Sequence, residues 1–313
     1  MPGDTLLSEF KGIKLFGRAL SLVISSPDIP LPLVDGKFNA DPNGIDVSGL
    51  DVDFHVEKSL KPEEPNTLRL RIYNLAETTR QSLSGKNALT VRLEAGYLGA
   101  TAQLYLAQTR AAWTKADGSE YETHIESMDT VARPTGIKRS KKPVPGSKTG
   151  SIYVSKGPKV PIQQAFQSIA DVLGIGVGNL NAALAGRPNQ ALQSVSGSAL
   201  LGNGAQRMTD LCRSAGLEWS IQDGQLQLLN IGGILSTNAA IRIASDSGMI
   251  GSPSVDSQGA VSVKSLLIPG LAPGVLISLD TLFCKGGYRI DKIRYIGSTY
   301  GEAWWAEMDA IKY

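Results

Sequence analysis

From Met249 to Tyr313 the chain consists of short runs in which apolar and polar residues take turns, punctuated by glycine. That period allows little except a pleated sheet, because successive strand side chains point to opposite faces. Val275, Ile277 and Leu279 alternate with Leu276, Ser278 and Asp280, and Trp304, Ala306, Met308 and Ala310 alternate with Trp305, Glu307, Asp309 and Ile311. Between these runs, Tyr288 and Ile290 hold one phase while Ile293 and Tyr295 hold the other. One extra residue near Asp291 and Lys292 returns all four to one face, so the spacing predicts a β-bulge that bends and twists the strand. Gly286 and Gly287 before that strand, and Gly301 after it, read as turn positions with positive φ.

The same grammar opens the chain. Leu50, Val52, Phe54 and Val56 alternate with Asp51, Asp53, His55 and Glu57, and Leu68, Leu70 and Ile72 alternate with Arg69, Arg71 and Tyr73. If the two runs pair, acids face arginines across the ladder, worth roughly 0.2 to 1 kcal/mol per pair. Residues 74 to 83 break the alternation as a short helical turn, and Leu89, Val91, Leu93 and Ala95 restart it. Two more strands run from Ala102 to Trp113 and from Tyr121 to Ser127, with the turn dipeptide Asp117-Gly118 between them. The chain to residue 132 is therefore expected to be a β domain.

The segments GLDVDFHVEKSLKPEEPNTLRLRIYNLAETTRQSL and ALTVRLEAGY resemble the opening domain of phage tail baseplate hub proteins. The segment SLLIPGLAPGVLISLDTLFCKGGYRIDKIRYIGSTYGEAWWAEMDA resembles their closing domain. The resemblance rests on the order and spacing of several segments rather than on one motif. It implies a mainly β fold with a small α+β module, in which two tube-like antiparallel β-barrel domains flank or surround an inserted helix-helix-hairpin domain. It further implies a homotrimer whose six barrels match the hexameric tail tube or distal tail protein above and whose threefold symmetry matches a central spike or fibre below. A channel is left for the tape-measure protein and for DNA in passage. The implied location is the tail baseplate of the virion, after assembly in the host cytoplasm.

Residues 133 to 160 have a different character. From Thr130 to Ala170 no acid occurs, while Lys138, Arg139, Lys141 and Lys142 head a series of basic residues among proline, glycine and serine. This reads as a linker or extended loop. Clustered lysines gain affinity for phosphates by counterion release, yet a sticky basic lumen would slow the DNA passing through it. Contact with a protein partner, or plain solvation, is the better reading. Residues 161 to 232 switch to helical period: Ile162, Phe166, Ile169 and Leu173 share a face behind Pro161, and Gly174 closes the helix. A second helix is expected from Gly204 to Ala215, with Met208, Leu211, Cys212 and Ala215 inward and Gly216 as its cap. A hairpin then pairs Trp219 and Ile221 with Leu226 and Leu228 across Asp223-Gly224. Residues 233 to 313 form the second β domain.

No pattern of catalysis or ligand binding emerges, so no enzyme activity, cofactor or metal is expected. The two histidines, His55 and His124, sit at alternating strand positions, and HExxH, CxxC and acidic calcium loops do not occur. Glu63 and Glu64 lie in the proline-flanked loop KPEEPN, and Asp51 and Asp53 on an outward strand face. Gly174, Gly176 and Gly178 follow a helix rather than precede one, whereas a phosphate loop presents its amides at a helix start. Cys212 and Cys284 read more simply as two buried thiols than as a disulfide, an alternative the sequence leaves open. The 31 basic against 29 acidic residues give a formal charge of +2, which argues against bulk attraction to nucleic acid or membrane, and no apolar run is long enough to span a bilayer. Trp304 and Trp305 are adjacent in a strand, so one can sit in a core while the other faces a neighbouring subunit. The competing function class is a carbohydrate-binding or hydrolytic tail component, which would need a paired-carboxylate cleft with flanking aromatics.

Overall fold

The structure, a computed structural model, describes residues 17–25, 33–34, 37–38, 44–84, 89–129, 161–185, 204–235, 240–257 and 259–313. The chain divides into two compact units, one of residues 1–59, 66–128 and 234–313, the other of 60–65 and 129–233.

In the first unit the strands are β1 (Arg18–Ser25), β2 (Leu33–Val34), β3 (Lys37–Phe38), β4 (Ile45–Asp46), β5 (Val52–Ser59), β6 (Asn66–Tyr73), β7 (Thr90–Tyr97), β8 (Ala100–Asp117) and β9 (Glu120–Asp129), with helix α1 (Glu77–Leu83) after β6. The second unit holds α2 (Ile162–Leu173), α3 (Leu180–Leu184), α4 (Gly204–Ser214), β10 (Leu217–Gln222) and β11 (Gln225–Asn230). The chain then returns to the first unit with β12 (Ile241–Ile243), β13 (Met249–Val255), β14 (Val261–Leu266), β15 (Leu276–Asp280), β16 (Lys285–Ser298) and β17 (Trp304–Lys312). The protein is mainly β, as expected.

Thirteen strands of the first unit join one sheet in the order β13-β14-β17-β16-β5-β6-β9-β8-β7-β1-β4, with β15 also on β16 and β12 on β15. This corrects the expectation of two separate closed tubes. Strands from both ends of the chain share a ladder, because β16 pairs antiparallel with β5 from Lys292↔Ser59 to Ser298↔Asp53. Among the described residues the path stays open, ending at β13 and β4. One hydrophobic core, from Leu22 through Phe54, Tyr105 and Ile277 to Ala310, underlies both segments. At the seam, Gly297 lies beneath the Phe54 ring, leaving no room for a Cβ, and Phe54 meets Trp304 edge-on at 5.5 Å between centroids. Trp304 donates its indole N–H to the Gly96 carbonyl at 3.1 Å.

A repeat lies within this sheet. Taken in chain order, β1, β5, β6, β7, β8 and β9 are arranged in space as second, third, sixth, fifth, fourth, first. The strands β12, β13, β14, β15, β16 and β17 have the same arrangement. The fifth strand is the long one in each set and carries a bulge, at Arg110 in β8 and at Asp291 in β16. The sets differ in their first strand, which pairs antiparallel in β1 and parallel in β12.

The bulge at Asp291 sits where the phase change placed it, and Tyr288, Ile290, Ile293 and Tyr295 are all buried. Of the three glycines read as turn positions, Gly286 has φ +113. Gly287 and Gly301 do not have positive φ; a Cβ on Gly287 would crowd Leu276 Cδ1, and one on Gly301 would crowd the Ser298 hydroxyl at 2.6 Å. Asp53 faces Arg71, and His55 faces Arg69, as the alternation implied.

The second unit follows its helical periodicity. Ile162, Phe166, Ile169 and Leu173 are buried with Met208, Leu211 and Cys212 against the β10–β11 hairpin. Trp219 pairs with Leu228, and Asp223 and Gly224 take φ +55 and +73 at the turn. Pro161 is the N-cap of α2 rather than its first helical residue, and α3 was not anticipated. The glycines of LGIGVG have a structural purpose: Gly176 N–H donates to the Gly224 carbonyl at 2.9 Å and its own carbonyl accepts from Leu226 N–H at 2.8 Å. A side chain on Gly178 would overlap the Leu226 carbonyl. Cys212 and Cys284 are both free and buried, one in each unit; burial pushes the Cys212 thiol up to about 12.

Candidate assembly surface

One face of the sheet packs on the core and the other is polar. Along it, register sets a row of alternating charge: Lys264 faces Glu307, Glu307 faces Arg294, and Arg294 faces Glu57. The charges pair at 3.7 Å for Lys264–Glu307, 3.6 Å for Arg294–Glu307, 3.5 Å for Arg294–Asp309 and 2.6 Å for Lys292–Glu57. Further along, Arg71 donates to the Tyr73 hydroxyl at 3.2 Å, Tyr73 donates to Asp53 at 3.1 Å, and Arg71 lies 3.9 Å from Glu122. Burial pushes the Tyr73 phenol up, and the carboxylate it serves adds to the shift. Half-exposed pairs of this kind contribute about 0 to 1 kcal/mol each. Their larger effect is to cancel charge, so this face carries no strong field of either sign.

The face holds an open cleft of about 420 Å³, lined among others by Asp53, His55, Arg71, Trp113, His124 and Ser298. Several of its polar side chains are engaged with one another and with the backbone. The Ser298 hydroxyl accepts from Gly301 N–H at 2.8 Å, and no hydrogen bond joins it to His55 among the described residues. His124 is 3.0 Å from Glu122 and stacks flat on Trp113 at 5.2 Å, which occupies one face of that indole. Asp53 is engaged by Tyr73. Among the described residues no group of three metal-ligating side chains occurs, and no helix is long and apolar enough to cross a membrane.

The two tryptophans divide as neighbours on a strand must. Trp304 is 4 % exposed and belongs to the core. Trp305 lies on the polar face, with the Lys264 ammonium 3.6 Å above its ring and its N–H on Glu307 at 3.1 Å. Lys138, Arg139, Lys141 and Lys142 lie outside the described residues. No sequence pattern singles out Arg18, whose guanidinium caps the loop after β16 by donating to the carbonyls of Ser298 (2.7 Å), Gly301 and Glu302 (3.0 Å). Nothing local in RALSLVIS announces that role, since its partners are the far end of the chain.

What remains unpaired is edge. In β8, residues 100 to 108 pair with β7, whereas Ala111–Asp117 pair only with β9 on their other side. At the end of the path β13 pairs only with β14. Both statements hold among the described residues.

No family model matches the chain, and no curated protein matches it by sequence. Among solved structures it is similar to the 43 kDa tail protein of prophage MuSo2 from Shewanella oneidensis, with TM-score 0.55, 10% identity, and 95% of this chain and 98% of that chain covered. It is likewise similar to the tail protein from Neisseria meningitidis MC58, with TM-score 0.56, 9% identity, and coverage of 95% and 97%. At such identities the likeness is one of fold: this chain has the fold of prophage tail proteins over nearly its whole length.

Proposed function

We propose that this chain is a structural component of a phage tail, the baseplate hub: a homotrimer that joins a hexameric tube or distal tail protein to a trimeric central spike or fibre. The observation that carries the reading is the repeated six-strand arrangement within one chain. A polypeptide with two like modules lets three copies present six equivalent positions on one side while keeping threefold symmetry on the other. Closed rings of this kind follow from head-to-tail contacts whose rotation closes. Each six-strand set serves as one tube segment, and the charge-balanced face lines the channel through which tape-measure protein and DNA pass. The work is done by interface complementarity, with no bond broken, in the virion tail after assembly in the host cytoplasm.

Native mass measurement tests this. Three chains of 33.2 kDa give a species near 100 kDa. A mass that stays at one chain up to the highest soluble concentration, or a stable even-numbered assembly, contradicts it.

A further inference from the structure

The cleft on the polar face divides its polar side chains into two groups. Asp53, Arg71, His124 and Ser298 are engaged by Tyr73, Glu122 and the backbone. His55, Arg69 and Glu126 line the same cleft, and among the described residues their side chains make no hydrogen bond or ion pair. Open polar groups beside a satisfied network are where a ligand gains most, because binding breaks no protein contact. The sheet also fixes their spacing: His55 stands directly across from Arg69 in the β5–β6 ladder.

Trp113 forms one wall. It faces His124 across the β8–β9 ladder, and the imidazole lies on it with an interplanar angle of 5°. The indole is still 41 % exposed, and no second ring or cation covers it among the described residues. It is an aromatic platform backed on one side and open on the other. Beneath the polar groups the floor is apolar, with Leu70, Ile125 and Ile296. The volume of about 420 Å³ falls within the range of about 300 to 1,000 Å³ that small-molecule sites occupy.

Charge decides what fits. The charged lining is balanced, Arg69 and Arg71 against Asp53 and Glu126, so an anion meets carboxylates and a cation meets guanidinium groups. Among the open groups Arg69 can only donate, Glu126 as a carboxylate can only accept, and His55 can do either. A hydroxyl does both. The C–H face of a pyranose ring carries slight positive charge, which suits the negative face of an indole. We propose that the cleft binds a neutral saccharide, one ring stacked on the open face of Trp113, its hydroxyls accepting from Arg69 and donating to Glu126. The site lies within one chain and does not depend on the ring reading above.

Saturation-transfer NMR and titration calorimetry on the full chain, with maltotriose, cellotriose and chitotriose as probes, test this. At least one of the three should bind. Arg69→Ala should weaken that sugar by about tenfold or more, since hydrogen bonds to a charged group are lost, and Trp113→Ala should remove binding. The Arg69 side chain is exposed and unpaired among the described residues, so its variant should melt with the native chain, which separates a lost contact from a lost fold. Lys264→Ala, on the same face but outside the cleft, should bind as the native chain does. Three results overturn the proposal: no binding of any of the three sugars, binding unchanged in Arg69→Ala or Trp113→Ala, or tighter binding of a sulfated disaccharide or a thymidine oligonucleotide than of any neutral sugar. None of them bears on the mass of the assembly.

Discussion

Substituting Gly297 by alanine tests whether the two ends of the chain are locked into one body at the β5–β16 seam. A Cβ there would lie 3.0 Å from Phe54 Cε2 and closer still to Cζ and Cε1. Carbon atoms make their best contact at about 3.5 to 4.0 Å, so the nearest edge of the ring has to retreat by more than about 1 Å. It has little room, because Trp304 stands edge-on against it at 5.5 Å and is itself held by the Gly96 carbonyl at 3.1 Å. Overpacking a filled core costs about 1 to 3 kcal/mol, and the rigid neighbour puts this site in the upper half of that range. For a unit of this size such a loss lowers the melting temperature by roughly 4 to 10 °C. Urea unfolding followed by tryptophan fluorescence reads the change. The double variant Gly297→Ala with Phe54→Leu should recover part of the loss, because the smaller side chain makes room for the methyl group. Residues in contact couple in this way by about 0.5 to 3 kcal/mol. An unchanged midpoint in the single variant, or strict additivity in the double, refutes the packing argument.

Other outcomes follow from single contacts. Trp304→Phe keeps most of the ring but leaves the Gly96 carbonyl without its donor, so stability should drop by about 1 to 3 kcal/mol in the same unfolding assay. The Cys212 thiol, raised from 9.0 to about 12 in the fold, stays protonated while the unfolded thiol ionises. Its contribution is therefore complete below about pH 9 and falls from there toward pH 12, and the stability difference between native chain and Cys212→Ala should shift across that window and be flat below it. Replacing Lys138, Arg139, Lys141 and Lys142 together by alanine should leave the proposed trimer's mass unchanged; its loss would put those residues at a subunit contact.

Local features were legible in the sequence because they are local. The phase slip between Ile290 and Ile293 located a bulge, Asp223-Gly224 located a hairpin, and the apolar spacing from Ile162 to Leu173 located a helix face. What was not legible depends on distant partners. The strand β1 was missed because Leu22, Val23 and Ile24 are apolar in succession, and β12 because it is three residues long. Expecting separate barrels at the two ends overlooked that Gly297 makes a slot for Phe54, a fit between residues that no periodicity connects. The repeat was hidden for the same reason. Its two copies agree in strand order and bulge position, while side chains such as Arg110 and Asp291 share nothing in type. The case for an adaptor therefore rests on repeated topology within one body rather than on two independent domains.

A density map of the assembled tail tip tests that case most directly. It should show three chains forming a ring of six like modules, two from each chain. A ring in which each chain fills a single module position would contradict it.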